Sequence, residues 1–273
     1  MNSVPLPSVV AQHARSGNAP AISARSLSKV YRTRKGPIRA LDSVSFDVGH
    51  GEFVSVVGPS GCGKSTVLKM LAGIVPQSDG TIAIDGDRLV GPSEKVGIVF
   101  QSPVLLPWRT VYDNILLPID VRREPRAGAD ARARALVELV GLTGFEDRYP
   151  FELSGGMQQR VAICRSLITD PAILLMDEPF GALDAMTREH MNLELQRIWL
   201  EKRKTVLLIT HSIPEAVFLS DRVIVMTSRP GTIDEIIAID LPRPRELDIT
   251  AEERFGGYAK RIRAKFGTKA SYD

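Results

Sequence analysis

Phe53-Val54-Ser55-Val56-Val57-Gly58-Pro59-Ser60-Gly61-Cys62-Gly63-Lys64-Ser65-Thr66 runs from an almost continuous apolar segment into a glycine-rich turn and then into a helix-forming stretch. An apolar run of five with Val at three positions suits a strand buried on both faces, as in a parallel sheet covered by helices. The turn carries the pattern G-x-x-x-x-G-K-S from Gly58 to Ser65. Glycines let successive backbone N–H groups point inward around phosphate oxygens, and the N-terminus of the following helix adds its positive end. Lys64 then reaches the β- and γ-phosphates, and the Ser65 hydroxyl holds Mg²⁺. Cys62 sits inside this cradle, as a variable loop position or as a thiol whose oxidation would block the nucleotide.

Outward from the cradle, 173–176, 206–209 and 223–226 repeat the short, wholly apolar character, which implies further buried parallel strands. Residues 22–31, 41–48 and 81–85 alternate apolar and polar side chains instead, as half-buried strands do, and Asp85-Gly86 marks a turn. Helical spacing occupies 64–74 and 185–202. Residues 122–128, with Pro125 and Gly128, read as a loop, and 129–140 as a short helix stopped at Gly141. The stretch after 102 is therefore a mostly helical insertion between two parallel strands. Residues 1–20, rich in Pro, Ser, Asn and Ala, read as a flexible tail, and 242 onward as charged and weakly helical.

Composition narrows the function classes. The net charge is +3, with no Lys/Arg stripe interleaved with aromatics, so the footprint of a nucleic-acid binder is missing. The two cysteines, Cys62 and Cys164, have no paired spacing, which excludes a disulfide framework and a four-cysteine zinc site. No apolar run approaches the ~18 residues of a membrane span, and the N-terminus lacks a secretory pattern. If the protein serves a membrane, it does so from the cytosol through a partner.

Two carboxylates, Asp177 and Glu178, end the apolar run 173–176. Ligands of parallel α/β sheets collect beyond the carboxyl ends of the strands. Asp177 is thus expected near Mg²⁺, through water. Glu178, one residue further, is placed to polarise an attacking water, a general-base role worth about 10²–10⁴ in rate. Leu153-Ser154-Gly155-Gly156-Met157-Gln158-Gln159-Arg160 reads as a second anion-binding helix start, with Ser154 as its N-cap. Met157, Val161, Cys164 and Leu167 share one face behind it, so Cys164 belongs to the core. A single bound ATP hardly needs two such helix ends, so the second is expected to serve ATP on another subunit.

With these residues in place, the sequence resembles the ATP-binding-cassette (ABC) ATPases over about 21–240, and 153–160 matches their signature motif. The resemblance implies an α/β P-loop NTPase: a RecA-like parallel-sheet core, an N-terminal antiparallel β subdomain and a helical subdomain inserted at about 102–157. A tail over 1–20 and a C-terminal extension over 241–273 flank the cassette. The resemblance also implies that the cradle, Gly58, Pro59, Ser60, Gly61, Cys62, Gly63, Lys64, Ser65 and Thr66, holds ATP, with adenine stacked on Tyr31. Ser154, Gly155 and Gly156 of a second copy close over it, and Asp184 lies in the loop that crosses the dimer. Gln101 senses Mg²⁺ and the γ-phosphate, so Ser65, Gln101 and Asp177 are the metal-side residues, while His211 is the γ-phosphate switch beside Glu178. Cys164 and Ser166 stand where alanines are common in the family.

The segments 105–115, 216–222 and 228–231 resemble the importer branch for nitrate, sulfonate, taurine and similar small solutes. Trp108 is then an anchor for a partner helix or a packing residue of its own subdomain. The partners implied are a second copy, transmembrane permease subunits and, indirectly, a solute-binding protein. The location implied is peripheral, at the cytoplasmic face of the membrane. The alternatives are a soluble ABC ATPase acting on nucleic acid or ribosomes, which usually carries two cassettes or a long coiled coil, and an unrelated kinase or GTPase, which leaves 153–160 and His211 without a role.

Overall fold

The computed structural model describes residues 19–181 and 183–267. The tail expected over 1–20 lies outside the described residues except for its last two positions.

Two sheets carry the chain. Strands β1 (Ile22–Thr33), β2 (Gly36–Val48), β4 (Asp79–Ile84) and β5 (Asp87–Arg88) form an antiparallel sheet in the order β2-β1-β4-β5. It is longer than the alternation alone predicts, because the hairpin between β1 and β2 continues to Thr33 and Gly36. The expected Asp85-Gly86 turn joins β4 to β5, with both residues at positive φ (51° and 84°), as a two-residue hairpin requires.

The second sheet has six strands: β3 (Phe53–Val57), β6 (Val96–Val99), β7 (Ile173–Asp177), β8 (Thr205–Ile209), β9 (Arg222–Met226) and β10 (Ile233–Ala238), in the order β10-β9-β3-β8-β7-β6. Pairings among β9, β3, β8, β7 and β6 are parallel. The outermost pair β10-β9 is antiparallel, so the sheet is mixed at one edge. Every residue of β3 and β8 is buried, which is why these strands read as unbroken apolar runs rather than as alternation.

Helices cover both faces. Helix α1 (Lys64–Leu71) follows the cradle and stops earlier than its expected end at 74, because Gly73 turns the backbone to φ +70°. Between β6 and β7 come α2 (Val111–Arg122), α3 (Arg126–Leu139) and α4 (Gly155–Leu167). The loop expected over 122–128 is corrected to 123–125: Pro125 is the N-cap of α3, and Gly128 lies inside the helix. The buried stripe Ala129, Ala133, Leu136 and Val137 overrides the glycine's cost of about 1 kcal/mol. Cys164 is fully buried, as its helical face predicts, and the thiol donates to the Leu136 carbonyl at 3.5 Å. Burial pushes its pKa far above the usual thiol range.

Helix α5 (Ala185–Lys202) and α6 (Ile213–Leu219) follow β7 and β8, and α7 (Glu253–Gly267) packs on α6. The weakly helical reading of the C-terminal segment thus becomes a definite helix with Phe255 and Ile262 buried beneath it. No helix among the described residues is long and apolar enough to cross a membrane.

Candidate functional site

The carboxyl ends of β3, β7 and β8 deliver three segments to one place. From β3 comes the cradle. Gly61 and Gly63 have φ of +75° and +99°, and Gly63 is the N-cap of α1, conformations glycine adopts without strain. Lys64 is buried, its Nζ donating to the carbonyls of Gly58 (2.8 Å) and Pro59 (3.2 Å) across the loop. Ser65 Oγ donates to Asp177 Oδ1 at 3.0 Å, joining α1 to the end of β7. Burial pushes the Asp177 carboxyl above its ordinary range, and the Ser65 hydrogen bond opposes that shift.

Glu178 follows in a left-handed backbone conformation, φ 46°, which costs a non-glycine residue about 1–3 kcal/mol. Its N–H is held by the Ile209 carbonyl of β8 at 2.8 Å, and its own carbonyl accepts from Gly181 N–H at 3.1 Å. The twist turns the side chain toward two partners. Gln101 Nε2 donates to Glu178 Oε2 at 3.3 Å, and His211 Nδ1 lies 3.1 Å from the same oxygen. Gln101 and His211 stand just beyond β6 and β8, so the expected triplet of strand-end residues does converge.

A cleft of about 390 Å³ opens above the cradle, lined by Tyr31, Ser60, Lys64, Ser65, Thr66, Glu178 and Arg229 among others. Tyr31 is half-exposed there, its hydroxyl 3.4 Å from Thr66 Oγ1. Ser154, Gly155, Gly156 and Asp184 do not line it. Ser154 accepts from Met157 N–H at 3.3 Å as the N-cap of α4, and Asp184 accepts from Thr187 N–H at 3.0 Å as the N-cap of α5. That interaction with Thr187 holds the Asp184 carboxyl below its usual range. The two helix starts adjoin: a Cβ at Gly156 would meet Thr187 Cγ2 at 3.2 Å.

The family described as ABC transporter matches residues 41–181. An ABC transporter ATP-binding protein of Methanocaldococcus jannaschii, itself uncharacterized, is 47% identical over 88% of this chain and 89% of its own length. An aliphatic sulfonates import ATP-binding protein of Bacillus cereus is 43% identical over 90% of this chain and 95% of its own. A solved structure described as a dimeric post-hydrolysis state of an ATP-binding cassette, bound to ADP and Pi, superposes with a TM-score of 0.71 at 32% identity, covering 81% of this chain and all of that one.

The chain belongs to the ABC transporter family. It is an ATP-binding, ATP-hydrolysing transporter subunit, and its α/β fold is that of the ABC cassette.

The donor set of this cassette suits Mg²⁺. Ser65, Asp177 and Gln101 offer oxygen ligands for a hard cation. No group of three His, Cys, Asp or Glu residues among the described residues could hold a metal alone, so such an ion would complete its shell from phosphate and water, as Mg²⁺ does in nucleotide sites.

Sequence reasoning did not find what supports the cassette's cradle from outside. Arg229 Nε donates to the Gly61 carbonyl at 3.0 Å. Gly231 exchanges backbone hydrogen bonds with Ala40 (2.9 Å) and Asp42 (3.0 Å). A Cβ at Gly231 would lie 1.9 Å from the Cys62 carbonyl oxygen. Gly231→Ala therefore has to push the cradle backbone aside. It is expected to cost about 1–3 kcal/mol and to weaken ATP binding, measured by thermal melts with and without ATP. An unchanged melt and unchanged ATP affinity would contradict the contact. The signal was available as a glycine in 228–231, but its neighbour lies 169 positions earlier in the chain, at Cys62.

Burial also pins Cys62. Its thiol is inaccessible and burial raises its pKa, against the pull of Lys64. Both facts count against the oxidisable-thiol alternative.

Proposed function

We propose that this cassette is the motor of an importer for aliphatic sulfonates or similar small anions, and that two copies clamp two ATP molecules between them. The observation that carries the clamp is the division of the site. Lys64, Ser65 and Glu178 line one cleft, with Asp177 bonded to Ser65 and with Gln101 and His211 against Glu178, whereas the exposed helix start at Ser154 and Gly155 neither lines that cleft nor bonds to any of these side chains. A second copy supplies the missing lid. The similarity to a dimeric cassette supports this, and the sulfonate-import relative supports the cargo class.

In this reading Tyr31 stacks on adenine, the cradle from Gly58 to Thr66 binds the phosphates, and Ser154, Gly155, Gly156 and Asp184 of the facing copy close over them. Ser65, Gln101 and Asp177 would hold Mg²⁺, which would supply positive charge against the phosphates. Glu178 accepts a proton from the attacking water as the water oxygen bonds to the γ-phosphorus and the bond from that phosphorus to the β–γ bridging oxygen breaks, so that ADP leaves with the bridging oxygen and phosphate is released. His211 holds Glu178 and the γ-phosphate side of the cleft in register. The cassette spans 21–240 with the helical subdomain at about 102–157, followed by the extension 241–273. The protein works peripherally at the cytoplasmic membrane face with permease subunits, and a solute-binding protein delivers the cargo. Purifying the tagged chain in detergent and reconstituting what accompanies it tests the reading: alkanesulfonate uptake driven by ATP is expected. An accompanying complex without membrane protein would overturn the transporter role, and uptake of nitrate alone would overturn the cargo.

The docking surface is on the helical insertion. Trp108 is 72% exposed on a loop that is nonetheless rigid. The wholly buried Asn114 accepts from Leu106 N–H and donates to the carbonyls of Leu106, Arg109 and Thr110. Arg165 donates to the carbonyls of Pro103 and Val104. A large aromatic displayed on a fixed loop is the form a binding hot spot takes. Trp108→Ala is expected to leave ATP hydrolysis by the isolated cassette unchanged and to weaken permease association about 30-fold or more. Native affinity for the permease in that variant would remove the assignment.

A further inference from the structure

We infer that Glu215 is a positioning residue for hydrolysis, holding the turn that presents His211 to Glu178. The inference rests on the ATPase reading of the site.

Glu215 is buried in the first turn of α6, outside the set of residues that motif reasoning singled out. Three hydrogen bonds close a ring through it. Its backbone N–H donates to Ser212 Oγ at 3.4 Å, Ser212 N–H donates to Thr210 Oγ1 at 3.0 Å, and the Thr210 hydroxyl donates to Glu215 Oε2. In an ordinary capping box the acid three residues into a helix bonds the N-cap N–H directly. Here the Thr210 hydroxyl is inserted between them. The enlarged ring ties down Thr210 and Ser212, the two neighbours of His211, with one carboxylate.

The same segment is fixed from the sheet side, where Thr210 N–H donates to the Val56 carbonyl at 3.2 Å. These two anchors hold the backbone on either side of His211, whose Nδ1 lies 3.1 Å from Glu178 Oε2.

Charge extends the link. Burial raises the Glu215 pKa to about 7, against the Thr210 hydrogen bond and the Arg188 charge, which favour the carboxylate. The Arg188 guanidinium donates to the carbonyls of Phe180 (3.3 Å) and Leu183 (2.7 Å). Those carbonyls belong to the segment between Glu178 and Asp184. One buried acid thus interacts with the holder of His211 and with the holder of the chain that leads to Asp184.

The test uses the full chain and compares Glu215→Gln, Thr210→Val, Thr210→Ser and the double variant Glu215→Gln/Thr210→Val in steady-state ATP hydrolysis and ATP binding. Thr210→Val deletes the donor and should lower kcat about tenfold, and Glu215→Gln, whose amide oxygen still accepts from Thr210 but carries no charge, should lower it about threefold, with KM for ATP within about twofold of native in both. Thr210→Ser keeps the hydroxyl and should restore kcat. The double variant should be no slower than the worse single one, because both changes break the same ring. Native kcat per folded molecule in Glu215→Gln and Thr210→Val would overturn the inference, as would multiplying losses in the double variant or a rise in KM without loss of kcat. Thr210→Val removes only a hydroxyl, so the test survives if Glu215→Gln folds poorly. A Glu178→Gln control separates the two readings. If that control turns over ATP at the native rate, the ATPase reading of the site fails first. If it is inactive while Glu215→Gln is native, only the role of Glu215 fails.

Discussion

Glu178→Gln is expected to keep ATP binding, hold the chain in a nucleotide-bound dimer and lose ATP turnover by about 10²–10⁴ in kcat. The substitution changes little except basicity. The amide oxygen can still accept from Gln101 Nε2, which now donates to Glu178 Oε2 at 3.3 Å. The backbone remains locked by the Ile209 carbonyl and the Gly181 N–H, so the unusual φ of 46° is kept. The variant cannot take the proton of the attacking water. It also removes a negative charge that would face the γ-phosphate, which favours the closed state over the open one. Phosphate release measures the first effect, and size-exclusion chromatography with Mg²⁺–ATP measures the second. Turnover at the native rate would remove the general-base assignment. A strictly monomeric ATP-loaded variant, alone and with membrane partners, would remove the clamp.

The parts of this site that the sequence makes legible are those where chemistry demands a residue type at a fixed spacing. The cradle needs glycines where the backbone must turn to positive φ, and Gly61 and Gly63 do so. A carboxylate pair after an apolar strand has one place to go in a parallel sheet, and Asp177 and Glu178 are found there. Other contacts depend on neighbours remote in the chain. Gly231 is required by the Cys62 carbonyl, and nothing near Gly231 announces it. Ser212 and Glu215 have the spacing of a capping box, but burial of the acid and insertion of Thr210 into the ring appear only in three dimensions. Only the first three residues of α3, Arg126 to Gly128, are hidden: Pro125 and Gly128 read as a loop, although Pro125 is the N-cap and Gly128 lies inside the helix.

The C-terminal extension shows the same limit most sharply, and it supports the second large prediction: Arg245→Ala should destabilise the protein by roughly 3–5 kcal/mol. In sequence Arg245 stands among charged residues and prolines, in a segment that reads as charged and weakly helical. In the structure it is 1% exposed. Its Nη1 donates to the carbonyls of Val217 (2.9 Å), Phe218 (2.8 Å) and Ser220 (2.9 Å), and Nη2 to that of Leu241 (3.2 Å). The first three are acceptors that the end of α6 leaves without intrahelical partners. A cation at a helix C-terminus is also favoured by the helix dipole. Burial lowers the guanidinium pKa to about 10, still well above neutral, so the charge is present under ordinary conditions. The backbone of the same residue is clasped by Gln196 of α5, which accepts from its N–H at 2.8 Å and donates to its carbonyl at 2.9 Å. Truncation to Ala would leave the α6 carbonyls buried without donors and open a void. For a chain of this size the loss corresponds to a fall of about 10 °C in melting temperature. Arg245→Lys should recover part of it, since an ammonium supplies a charge but not the planar fork that reaches several carbonyls at once. A melting temperature within about 1 °C of native in Arg245→Ala, well inside the shift that even one kcal/mol would cause, would show that the α6 carbonyls do not depend on this side chain. Because the other end of α6 carries Glu215 and the turn of His211, a fall in stability here would make the extension the clamp that fixes the base of the helix supporting the γ-phosphate switch.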